Sequence, residues 1–276
     1  MRPPLARRVV AELLGTALLV AAVVGSGIMG ERLSAGNVAL ALLANTVATG
    51  AALVAFILAF GPVSGAHFNP VVSVCDVWMG GLPPRDAACY VCAQFVGGIG
   101  GVVAAHAMFS EPWIALSLHA RNGSAQLFAE GVATFGLLAV IWGVSRSQPK
   151  VTPFAVGAYI TAAYWFTSST SFANPAVTVA RALTATFSGI RPVDVPGFLI
   201  AQLLGGIAAT AVCRWIMPIP STSAGRVVGQ VVLSGRDAAS GDLSSDAAKC
   251  DPESAEHASE HRYHNNAEHR QNQYER

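Results

Sequence analysis

The sequence predicts an all-α membrane protein: six transmembrane helices plus two re-entrant half-helices, arranged as an inverted repeat. Three observations lead there. The chain is 53% hydrophobic and only 12% charged over 276 residues, and its mean hydropathy of +0.48 is too apolar for a soluble domain of this size. Six apolar stretches approach the ~20 residues that a spanning helix needs. Two further apolar segments are short, and each is opened by the same Asn-Pro pair, at Asn69-Pro70 and Asn174-Pro175.

In chain order, the first span is expected over residues 9–29. It follows the basic start MRPPLARR, but it runs too long and shows no cleavage site, so a retained helix is preferred to a signal peptide. Residues 38–60 form the second span, and residues 69–79 the first short segment. The third span covers 87–109, the fourth 126–144 and the fifth 151–167. The second short segment is 174–187, and 196–217 closes the series. At ~1.5 Å rise per residue, the short segments reach about halfway through a hydrocarbon layer of roughly 30 Å.

Residues 1–217 therefore read as one membrane domain, with repeat one over about 9–109 and repeat two over about 126–217. From residue 218 the composition turns polar: 15 of the 33 charged residues fall in 218–276, which reads as a disordered tail. Its histidines His257, His261, His264 and His269 lack companion cysteines, and a solvated tail is preferred to a metal site. Cys89 and Cys92 form a C-x-x-C with no second pair, so all five cysteines are read as small buried hydrophobes. No cofactor or metal is expected, and no nucleophile with its base or phosphate-binding loop suggests an enzyme.

The duplication is legible in three markers. AELLGTALL from Ala11 is echoed by AEGVATFGL from Ala129, HFNPVVSV from His67 by FANPAVTV from Phe172, and AQFVGGIGG from Ala93 by AQLLGGIAA from Ala201, at offsets of 118, 105 and 108 residues. Because each unit holds three spans, the second copy enters the membrane from the opposite side. Such a repeat places its shared site near the midplane. Small residues four apart, Ala11 with Gly15, Gly97 with Gly101 and Gly205 with Ala209, let helices approach closely and are read as packing alone.

Proline suits the first helical position and asparagine the cap before it. Irregular backbone at membrane depth survives only when buried in protein or lining a wet cavity. The two half-helices should therefore dip in from opposite faces and meet by their N-termini, with Asn69 and Asn174 facing each other. Each N-terminus carries roughly half a positive charge, so the meeting point repels cations and protons. The two side-chain amides are placed to donate to a neutral oxygen passing between them.

GAHFNPVV (residues 65–72) and FANPAV (172–177) resemble the paired Asn-Pro-Ala boxes of the aquaporin and aquaglyceroporin family, with Asn69-Pro70-Val71 in place of the first box and Asn174-Pro175-Ala176 as the second. AELLGT, AEGVATF and AQFVGG are similar to the family's helix markers, and the resemblance covers residues 9–217. It implies that Glu12 and Glu130 brace the re-entrant loops by accepting backbone N–H bonds, and that His67 fixes its loop by hydrogen bonding. It also implies a homotetramer.

The resemblance further implies an outer filter of four residues: Thr49, Ala162, Ser171 and the position three after the second asparagine. That last position is an arginine in most of the family and is Val177 here. Losing a guanidinium removes a fixed charge and several donors and widens the opening. A passive channel for small uncharged solutes is expected, and the valine resembles that of bacterial channels linked to arsenic resistance, which implies arsenite and methylated arsenicals besides water and glycerol-like solutes. The alternatives are a water-selective channel and an ion-coupled transporter, which would want titratable groups near the midplane. Arg181 shares a helical face with Asn174 and Val177. It is expected either to lend positive potential to the outer vestibule or to pair with a loop.

Lys and Arg in the connections set the orientation. Arg2, Arg7, Arg8, Arg85, Arg146, Lys150 and Arg214 fall on one side, and Arg32, Arg121, Arg181 and Arg191 on the other. Both termini are therefore expected in the cytoplasm of a multi-pass protein of the inner (plasma) membrane. Its expected partners are lipid, water and small neutral solutes, with no nucleic acid.

Overall fold

The structure, a computed structural model, describes residues 2–217. The tail over 218–276, with its histidines and Cys250, lies outside the described residues. Eight α-helices follow in order: α1 Leu5–Leu33, α2 Val38–Ser64, α3 Pro70–Met79, α4 Pro84–Phe109, α5 Ser124–Ser147, α6 Thr152–Phe166, α7 Pro175–Arg181 and α8 Val195–Ile216. Among the described residues, five helices are long and apolar enough to cross a membrane. The sixth span, α6, has 15 residues and is extended at its start by a 3-10 turn over Pro149–Val151. The six spans and two half-helices are all present. The second half-helix stops at Arg181, six residues before the expected end, and the chain leaves it as turns.

The outer surface explains the composition. Val10, Leu14, Leu18, Val47, Val96, Phe128, Ile200 and Leu204 stand exposed along the helices, a pattern that lipid satisfies and water does not. Polar residues point inward instead: Glu12, Thr16, Gln94, Glu130, Thr134 and Gln202 are fully buried. Cys75 and Cys213 are buried as expected, whereas Cys89 and Cys92 are exposed. Helical spacing turns both of the latter outward on α4, so the expectation of burial fails for this pair.

Helices approach where side chains vanish. A Cβ on Gly97 or Gly101 of α4 would strike the carbonyl oxygens of Leu13 and Ala17 on α1, and one on Gly205 of α8 would strike the carbonyl of Gly131 on α5. The α1–α4 and α5–α8 pairs are accordingly among the most extensive packings in the molecule. Across the repeats, α2 packs on α6, and a Cβ on Gly157 would meet the Gly50 carbonyl 2.8 Å away. Each half-helix contacts the last span of its own repeat and that of the other: α3 touches α4 and α8, and α7 touches α8 and α4. This exchange holds α3 and α7 in mid-bundle.

Candidate functional site

The half-helices begin as the sequence predicts. Asn69 and Asn174 stand in extended conformation just before α3 and α7, with Pro70 and Pro175 in the first turn. Asn69 Oδ1 accepts from Val71 N at 3.0 Å, and Asn174 Oδ1 accepts from Ala176 N at 3.0 Å and Val177 N at 3.3 Å. Each amide nitrogen then crosses to the other repeat: Asn69 Nδ2 donates to the Ala173 carbonyl, and Asn174 Nδ2 to the Phe68 carbonyl, both at 2.7 Å. The two tips are thus joined reciprocally. An amide nitrogen carries two hydrogens, so one N–H of each remains after the crossing bond.

The loops leading into the tips are tightly coiled. Ala66, Phe68, Thr170, Ser171 and Ala173 all take positive φ, a conformation that costs non-glycine residues free energy and persists only when surroundings enforce it. Two buried carboxylates do the enforcing. Glu12 accepts from His67 N at 3.0 Å, Phe68 N at 2.7 Å and the Ser64 hydroxyl at 2.6 Å. Glu130 accepts from Phe172 N at 2.8 Å and Ala173 N at 2.9 Å. A glutamine completes each set: Gln94 Nε2 donates to Glu12 and the Ser73 hydroxyl, and Gln202 Nε2 to Glu130 and the Thr178 hydroxyl. Neither glutamine was singled out in the sequence, although both stand second in the AQFVGG and AQLLGG markers.

His67 lies 3.0 Å from the Ser73 hydroxyl through Nδ1, and its Nε2 is 3.7 Å from Asp76 Oδ2. Asp76 is a buried carboxylate that the sequence reading passed over, because a lone acid in an apolar half-helix carries no motif. His106, the other histidine within the spans, bridges the Pro112 carbonyl and the Thr184 hydroxyl. Among the described residues no group of His, Cys, Asp or Glu could hold a metal.

A cavity of about 100 Å³ borders both asparagines. Its lining includes Thr152 and Tyr164 on α6, twelve residues apart in sequence, so it extends roughly 18 Å along that helix. His67, Thr49, Ser171, Val177 and Arg181 also border it, and Val72, Leu53, Leu137, Val156 and Ile160 make the wall largely apolar. Pro70, Val71, Pro175 and Ala176 are buried in the half-helix starts outside the lining. Val71 packs beside Gly206, and the Ala176 carbonyl beside Gly98.

Three of the four residues expected in the outer filter, Thr49, Ser171 and Val177, border the cavity. Ala162 does not: it is exposed on the outside of α6. The inward face of that helix runs through Val156, Ile160 and Tyr164, and two residues beyond Ile160 is a turn of roughly 200°, which points Ala162 away. Tyr164 borders the cavity on that inward face, its hydroxyl 3.3 Å from Thr49 Oγ1.

Arg181 pairs with a loop and also borders the cavity. Its Nε donates to the Ser188 carbonyl, while the residue borders the cavity and its guanidinium lies on the Phe172 ring, Cζ 3.4 Å from the centroid. A second arginine approaches the same ring. Arg121, in the loop before α5, has Cζ 5.0 Å from the centroid and donates to the Gly189 and Ser169 carbonyls. Burial lowers its pKa to about 10, opposed by Glu130 and Tyr164, so it stays protonated at neutral pH. His119 is lowered as well, first by burial and then by Arg121 and Arg181.

Two oppositely entering half-helices, cross-bonded at their tips beside a narrow polar-ended cavity, define an inverted-repeat membrane channel. The profile of the major intrinsic protein family matches residues 1–171 and 148–241. The chain is 58% identical over 213 residues to Aquaglyceroporin AqpS of Rhizobium meliloti (strain 1021), covering 77% of this chain and 91% of that protein. It is 33% identical over 155 residues to the Aquaglyceroporin of Toxoplasma gondii, covering 53% and 57%. The X-ray structure of the aquaglyceroporin from Plasmodium falciparum shares the fold at a TM-score of 0.60 and 19% identity, over 85% of this chain and all of that one. The chain belongs to the major intrinsic protein family. It is a membrane channel for small neutral solutes, and not an enzyme.

Proposed function

We propose that this chain is a wide passive channel whose filter, formed by Thr49, Ser171, Val177 and Tyr164, admits glycerol-like solutes, arsenite and methylated arsenicals as well as water. The observation that carries the reading is Val177, an isopropyl group at the cavity wall one turn past Asn174. Neutral arsenous acid is a small uncharged triol, with the same hydrogen-bonding needs as glycerol. The free amide N–H of Asn69 and Asn174 and the hydroxyl of Thr49 supply polar partners, and the apolar wall tolerates methyl groups. Glu12, Glu130 and His67 act here as braces that hold the donors in place.

Val177→Arg restores a guanidinium at the filter. Flux of glycerol and of methylated arsenicals is expected to fall by about tenfold, the effect of roughly 1.4 kcal/mol on a barrier, while water flux changes far less. Stopped-flow light scattering on proteoliposomes reads both. Equal loss for all solutes would remove the filter assignment, and wild-type permeability to water alone would establish a water-selective channel instead.

We also propose that residues 2–4 and the end of α8 face the cytoplasm of the inner membrane, and that the channel assembles as a homotetramer. The charge bias supports the orientation: Arg121 and Arg181, counted on the outer side, are buried within the protein, leaving that side with less exposed positive charge. Cysteine-labelling from outside intact cells should modify a cysteine placed at Val193 and not one placed at Lys150. The reverse pattern would invert the topology.

A further inference from the structure

We propose that Cys89 and Cys92, on the lipid-facing side of α4, form a dithiol site for a monosubstituted trivalent arsenical such as methylarsonous acid. The site lies outside the conduction path, since neither residue borders the cavity. It rests on the reading of arsenicals as cargo only for the source of its ligand.

The placement of the pair carries the inference. The helix runs unbroken over Pro84–Phe109, and residues three apart on a helix are neighbours, with Cβ atoms about 5–6 Å apart. Cys89 and Cys92 are both free and both exposed, so each thiol can turn toward an atom placed between them. They share an outward stripe with Arg85, Ala88, Val96 and Ile99. Counted from Pro84, they stand about 8 and 12 Å along the axis, where that stripe passes from a charged residue to apolar ones. The thiols therefore sit at the edge of the hydrocarbon layer, on the cytoplasmic leaflet in the orientation proposed above.

The number of sulfurs selects the ligand. Structural zinc takes four ligands, and among the described residues no group of three or more His, Cys, Asp or Glu side chains could hold a metal. Monosubstituted arsenic(III) has two exchangeable positions, and two thiols fill them. Each sulfur attacks arsenic, an As–S bond replaces an As–O bond, and the hydroxyl leaves as water with the thiol proton. Arsenic stays trivalent, so the step needs no oxidant or reductant. Thiol sulfur is a soft ligand, and trivalent arsenic is a soft acceptor. The product has lost both hydroxyls and carries no charge, so an apolar setting that penalises unpaired polar groups favours the bound form. A disulfide within the helix is the competitor. It needs Cβ atoms about 3.5–4.5 Å apart, closer than helical spacing gives, whereas a bridging arsenic atom spans the wider gap.

The test uses the full chain in detergent, reduced with a phosphine, and phenylarsine oxide as the probe. Intact-protein mass spectrometry should show one phenylarsenic group per chain with two hydrogens lost. The adduct should be removed by 2,3-dimercaptopropanol and not by a monothiol at equal thiol concentration. Cys89→Ala and Cys92→Ala should each weaken binding by at least about a hundredfold, the scale of losing one arm of a two-point attachment. Both positions face outward, so glycerol flux in either variant should match wild type, which shows that the variants fold. Cys250→Ala should bind the probe as wild type does. No dithiol-reversible adduct in a wild type that conducts methylarsonous acid, or equal affinity in wild type and Cys92→Ala, overturns the site and leaves the channel reading standing. An adduct that needs both cysteines, in a protein that passes glycerol but no arsenical, supports the site and removes arsenicals from the cargo.

Discussion

Glu130→Gln is expected to abolish conduction and to lower the amount of folded protein. The carboxylate offers two oxygens to Phe172 N, Ala173 N and Gln202 Nε2, all within 2.9 Å. An amide offers one oxygen and turns an NH2 toward the remaining donors. At least one buried backbone N–H then lacks an acceptor and faces the amide hydrogens instead, at about 1–3 kcal/mol for an unsatisfied group. That is a large fraction of a typical folding free energy. The loop carrying Ser171 and Ala173 at positive φ would relax, and Asn69 would lose the Ala173 carbonyl it donates to. Glu12→Gln should act in the same way on the other loop, where four donors converge. Stopped-flow water flux normalised to reconstituted protein measures the effect, alongside thermal unfolding in detergent. Water flux within twofold of wild type in both variants would show that the carboxylates are dispensable.

Gly97→Leu is expected to prevent folding outright. Its Cβ would occupy the space of the Leu13 carbonyl oxygen on α1, a backbone atom that no rotamer change can move. Overpacking of this kind costs about 1–3 kcal/mol even when side chains yield, and here helices must separate. The yield of monodisperse protein should fall by at least about tenfold, in keeping with that cost. Gly100→Leu is the control: nothing lies within 4 Å of a Cβ there, and leucine is the better helix former. Comparable loss for both glycines would mean that small residues on α4 act through helix propensity or insertion and do not set the α1–α4 distance.

Much of this architecture was legible because it is periodic and duplicated. Length and hydropathy alone separate spans from half-spans, and Asn-Pro carries its own conformational preference wherever it falls, so the starts of α3 and α7 could be placed to the residue. The reading failed where a side chain's direction depends on a helix's rotation within the bundle. Ala162 was reached by counting along a family pattern, but α6 stays regular through Phe166 and presents Tyr164 instead. Cys89 and Cys92 were read as buried and face outward for the same reason. Gln94 and Gln202 lay within recognised markers and were not singled out, since nothing local shows that their amides reach carboxylates 82 and 72 residues away.

By itself, the sequence determined that the chain lives in lipid, that it is built twice in opposite senses, and that two broken helices meet inside it. These are consequences of local preferences repeated along the chain, and local preferences are written in adjacent residues. Only the tertiary structure decided which polar groups are used up and which remain free. It engaged one N–H of each asparagine amide across the repeat, committed both glutamates to backbone donors, and tied Arg181 Nε to the Ser188 carbonyl beside the cavity. Hydrogen bonding is directional and falls away within an ångström of its ideal length, so its outcome depends on how distant segments are oriented when they pack.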